Sequence, residues 1–108
     1  MARIKNDNNF DLSVTLIPVL GEQGYLRLVN TFKTEFYVVL AEWTDSSDWD
    51  ADKKRLVARS IKGASQSIGA IVLKELAETV ELALKDGKQV NFSALMKMLE
   101  ETLDVLSG

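Results

Sequence analysis

Tyr25, Val29, Phe32, Phe36, Leu40 and Trp43 recur at spacings of three and four along the chain. That period makes them one apolar stripe on an α-helix running from Glu22 to about Trp43. The run Phe36 to Leu40 is aromatic and β-branched and would suit a strand on its own. The longer period outweighs it. A helix carrying such a stripe must bury it, and the rest of the chain has no strand-rich region to receive it. Its partners have to be further helices.

Those helices are legible in order. Residues 1–10 are expected to be a flexible lead-in, polar from Asn6 to Asn9. Asp11 is a candidate N-cap for a short helix from Leu12 to about Leu20, which Pro18 limits to a turn or two or kinks. Gly21 and Gly24 punctuate the chain just after it. The cluster Thr44-Asp45-Ser46-Ser47-Asp48 ends the long helix and suggests a hairpin. The next helix runs from Trp49 or Asp50 to Ser67, with Ser47, Asp48 or Asp50 as its cap. Val57, Ile61, Ala64 and Ile68 fall within about 60° of one another on it and face the core. Asp52, Arg55, Arg59, Lys62, Gly63 and Gln66 fall on the opposite side. A glycine inside a helix costs roughly 1 kcal/mol relative to alanine. Core packing does not explain Gly63, so something outside needs to come close there.

Gly69 separates this helix from one spanning about Ala70 to Lys85, with Leu73, Leu76, Ala77, Val80 and Leu84 as its core stripe. Asp86-Gly87 ends it. Asn91 or Ser93 caps a last helix that runs to about Leu106. Leu95, Leu99, Leu103 and Leu106 point inward there, with Met96 or Met98 at the margins. The expected fold is all-α: an antiparallel four-helix bundle with a short additional N-terminal helix, forming one domain over 108 residues.

Composition removes several chemistries. The chain has no cysteine and no histidine. Disulfides, thiolate chemistry, zinc sites and histidine-based triads are therefore excluded. A net charge of -3 argues against nucleic acid as a partner. No apolar run approaches the length of a membrane span, and the N-terminus lacks a signal-peptide core. The absence of cysteine fits the cytoplasm. Asp45, Asp48, Asp50 and Asp52 lack the loop glycine and terminal glutamate of a calcium loop, and capping accounts for them better. Ser60, Ser65 and Ser67 have no base to activate them, and small residues at a helix contact explain Ser65 and Ser67. No cofactor is expected.

The segment Lys62-Gly63-Ala64-Ser65, followed by Ile68-Gly69-Ala70 and Leu73, carries a resemblance. So does the layout around it: Phe10-Asp11 before a short helix, a long aromatic helix, a Trp-containing turn, the motif helix and a closing helical hairpin. Together they resemble the histidine-containing phosphotransfer (HPt) domain of phosphorelays, over roughly residues 10 to 106. The family places a phospho-accepting histidine three residues before the lysine. Arg59 stands at that position. A guanidinium stays protonated and offers no free lone pair, so phosphotransfer is not expected and the chain is not expected to be an enzyme.

The resemblance implies that Lys62 matches the lysine that stabilises a transferring phosphoryl group. It implies that Gly63 clears room for an incoming receiver domain. It also places Glu81 one helix later, opposite position 59. Glu81 lies about 80° from Leu73 around its helix, which leads us to expect an Arg59–Glu81 ion pair worth ~0.2–1 kcal/mol. The implied function is an HPt-like signalling module that binds a receiver domain or a histidine kinase through Arg55, Arg59, Lys62, Gly63 and Gln66. A monomer suffices, with no metal, nucleic acid or membrane. Two alternatives stand beside it. One is an otherwise active phosphotransfer protein bearing a natural or engineered arginine. The other is a helical scaffold in which the motif is incidental.

Overall fold

The computed structural model describes residues 17–45 and 48–107. Among these, four helices and no strand are present: α1 (Ile17–Asp45), α2 (Ala51–Ile68), α3 (Ile71–Lys85) and α4 (Phe92–Ser107). They form a helical bundle, and no described helix is long and apolar enough to cross a membrane. The expected N-terminal helix lies mostly outside the described residues. Its last turn, Ile17 to Leu20, is helical, and Gly21 interrupts α1 with φ 74 and ψ 173. The long aromatic helix therefore begins at Glu22. Phe36 to Leu40 is helical, as the longer period required.

The aromatic stripe of α1 is the spine of the core. Tyr25, Val29, Phe32 and Phe36 are buried, and Leu40 and Trp43 pack against them half-buried. The Phe32 and Phe36 rings lie 4.7 Å apart, tilted by 49°. From α2 come Val57, Ala58, Ile61 and Ile68; from α3, Leu73, Ala77 and Val80; from α4, Phe92, Leu95, Met96, Leu99, Leu103 and Leu106. Of the two candidate methionines, Met96 is the buried one. Trp49 is half-buried at one end of the bundle, its ring 5.4 Å from Trp43 and 6.1 Å from Phe92.

Side-chain and backbone caps set the helix ends. Asp50 is the cap of α2, its carboxylate accepting from the Lys53 N–H at 2.7 Å. Asn91 plays that part for α4, accepting from Ala94 N–H at 3.2 Å. At the far end of α2, Gly69 sits at φ 78, where a β-carbon is costly. The Gly69 N–H donates to Gln66 and the Ala70 N–H to Ser65, satisfying carbonyls the helix would leave open. α2 ends there, and α3, which begins at Ile71, packs against it.

Tyr25 ties α1 to this turn by donating to the Ile68 carbonyl at 2.7 Å. Burial pushes its hydroxyl up from 10.0 to about 12. Between those two pH values the unfolded chain loses the proton while the folded chain keeps it. Stability therefore holds below pH 10 and falls as pH rises toward 12, by up to about 1.4 kcal/mol per pH unit. Tyr25→Phe should lower stability at pH 8 by about 1 kcal/mol, because the Ile68 carbonyl loses its partner. The variant should also flatten the alkaline fall in urea melts between pH 10 and 12. An unchanged slope would show that Tyr25 does not titrate in the buried state.

Ser65 is fully buried between helices, and its hydroxyl has no hydrogen-bond partner among the described residues. A buried unpaired hydroxyl is a net cost, so Ser65→Ala should raise stability by roughly 1 kcal/mol. Thermal or urea unfolding measures it; a loss of stability would contradict the unpaired state.

Candidate basic groove between α2 and α3

The amphipathic register of α2 puts Val57, Ile61 and Ile68 inward and leaves Asp52, Arg55, Arg59, Gly63 and Gln66 exposed on the other side. Lys62 is at the margin, half-buried. From α3, Glu81 comes up to meet it. The Lys62 Nζ donates to Glu81 Oε1 at 2.6 Å, with the two side chains 31% and 13% exposed. The expected pairing of Glu81 with Arg59 is therefore corrected: Glu81 takes Lys62. The reason is position around α2: Lys62 lies at its half-buried margin, beside α3, whereas Arg59 lies on the exposed side. The ion pair contributes about 1 kcal/mol or less at this exposure. Its larger effect is to hold Lys62 in place, while Arg59 stays exposed with no ion pair among the described residues.

These residues border one open groove of about 410 Å³ between α2 and α3. Arg55, Arg59 and Lys62 from the exposed face of α2 line it, and so does Glu81 of α3. Gly63 and Gln66 do not; they continue the exposed α2 surface toward Gly69. Three lining residues were not anticipated: Leu56, Leu82 and Lys85. Leu56 is 59% exposed and Leu82 51%. The signal for both was available. Leu82 falls about 180° from Leu73 around α3, and Leu56 about 140° from Ile61 around α2, so neither belongs to its core stripe. The groove thus gathers four cations and one carboxylate in a chain whose overall charge is -3.

Gly63 is a helical residue with open space over it. A β-carbon built there would meet nothing within 4 Å. Among the described residues, nothing in the fold needs a glycine at this position. Ser67 is the nearest polar feature, donating its hydroxyl to the Gly63 carbonyl at 3.3 Å. Neither Ser60, which is exposed, nor buried Ser65 has a basic partner that would make it a nucleophile.

Comparison with protein-family models, with curated proteins and with solved structures finds no match to this chain.

Proposed function

We propose that this chain is an HPt-like signalling module, an antiparallel four-helix bundle, that binds a receiver domain or a histidine kinase without passing on a phosphoryl group. Several features support the antiparallel arrangement: the turn at Gly69, the Tyr25–Ile68 hydrogen bond at one end of α1, and the Trp43–Trp49 and Trp43–Phe92 contacts at the other. The observation that carries the functional reading is Gly63. A glycine in the middle of α2 costs stability, and the fold gains nothing from it. Close approach by another molecule accounts for it, next to Lys62 and one turn from Arg59. Binding would occlude the partner's acidic phosphorylation pocket, with the Arg59 guanidinium contacting carboxylate or phosphoryl oxygens.

The test pairs two substitutions at this glycine. Gly63→Ala should stabilise the fold by about 0.5–1 kcal/mol and retain binding, because a methyl group is small. Gly63→Gln should leave the melting temperature near that of the alanine variant while weakening binding to receiver domains of the same genome tenfold or more. If receiver domains bind the glutamine variant as well as the parent, the docking role of Gly63 fails. The parent chain, incubated with phosphorylated receiver domain or with kinase and ATP, should show no phosphoryl mass shift. Restoring the imidazole with Arg59→His asks whether the surroundings still support uptake.

A further inference from the structure

Leu56 and Leu82 face away from the core stripes of their helices, and each is more than half exposed. Both border the groove that holds Arg55, Arg59 and Lys85. Two apolar side chains flanked by unburied cations are mismatched to water but matched to a particular surface. The α3 wall contributes half of that mismatch. We propose that Leu82 and Lys85 of α3, together with Leu56 and Arg59 of α2, form a two-walled docking surface for a partner segment that presents carboxylates beside apolar side chains, as an acidic amphipathic helix does.

Three observations support this occupant. The charge is complementary: positive residues are concentrated here on an otherwise acidic chain. The groove is pre-organised, because α2 and α3 are joined through the Gly69 turn and clamped by the 2.6 Å Lys62–Glu81 bond across the groove. The apolar component rules out a purely ionic role, since an exposed leucine adds nothing to the capture of a small anion. An amphipathic helix laid along a groove offers both components at helical spacing. This partner chemistry deepens the proposed signalling role, and rests on that reading for the α2 wall only.

The probe is a synthetic 20-residue helical peptide with leucines on one stripe flanked by glutamates, and a second peptide with glutamine for each glutamate. Titration of the isotope-labelled chain, followed by NMR, should give shifts concentrated at Leu56, Arg59, Leu82 and Lys85. The glutamine peptide should bind at least tenfold more weakly, and 500 mM salt should weaken the glutamate peptide's binding by a similar factor. The double variant Leu82→Glu, Lys85→Glu should lose at least tenfold in affinity while keeping its helical circular dichroism and melting temperature. Equal binding of the two peptides, shifts centred on exposed Tyr37 and Val38 instead, or no shifts at all would each overturn the proposal. Parallel titration with receiver domains separates the groove's role from that of Gly63. Receiver binding that is lost with Gly63→Gln but indifferent to the α3 variant overturns the two-walled surface and leaves the signalling role standing. Peptide binding in the groove with no receiver binding does the reverse.

Discussion

Replacing Phe36 with alanine should cost about 3–5 kcal/mol of folding stability, the largest effect expected of any single truncation in this chain. Phe36 is fully buried and sits in the middle of the α1 stripe, against Phe32 and the inward faces of the other helices. Removing its ring deletes apolar contact and leaves a cavity that rigid helices on several sides cannot close. Domains of this size have a total stability on the order of 5–15 kcal/mol, so the variant should lose a large share of it. Urea denaturation followed by circular dichroism gives the value directly. A cost below about 1 kcal/mol would mean that α1 is not packed into the core through this ring. Because Phe36 does not line the basic groove, residual folded protein should keep its binding properties.

Arg59→Glu should produce the largest change in binding with almost no change in stability. Arg59 is exposed and makes no ion pair among the described residues, so its removal should shift stability by no more than about 0.5 kcal/mol. Reversal does more than delete one favourable contact. It adds a second carboxylate to the groove that holds Glu81 and sets like charges against an acidic partner, a penalty that can reach several kcal/mol. Affinity for a receiver domain should fall about 30-fold or more, equivalent to at least ~2 kcal/mol. The effect should shrink as salt is raised. Isothermal titration at low salt, with the melting temperature as a control, decides the matter. An unchanged dissociation constant would leave only a helical scaffold.

Much of the bundle was legible because burial and helical period are the same signal. Tyr25, Val29, Phe32 and Phe36 were readable as core, and so were Leu95, Leu99, Leu103 and Leu106, because each sits in a repeat of three and four. Thr102 is as deeply buried but polar, and polarity masks it from a hydrophobic count; Ser65, equally buried, is legible only as a small residue at a helix contact. At the site, the exposed side of α2 followed from its register alone. The pairing of Glu81 did not. Whether it meets Lys62 or Arg59 depends on how α2 and α3 pack against each other, and residue spacing within one helix carries no information about that. Leu56 and Leu82 were overlooked for a different reason. They interrupt polar faces, and a search for core stripes passes over apolar residues that fall outside them.

Every residue of the groove lies between Arg55 and Lys85, and the turn at Gly69 falls inside that interval. Its two walls are therefore coupled by chain length as well as by residue identity. One residue inserted between Lys62 and Gly69, or between Gly69 and Glu81, turns one wall by about 100° against the other. Each helix could still bury an apolar stripe after a slip, but Lys62 and Glu81 would no longer face each other, and Leu56 and Leu82 would open onto different surfaces. Lineages that keep this site should thus tolerate many substitutions along α2 and α3 and almost no insertions or deletions between positions 55 and 85. The α4 approach should be free to change in length.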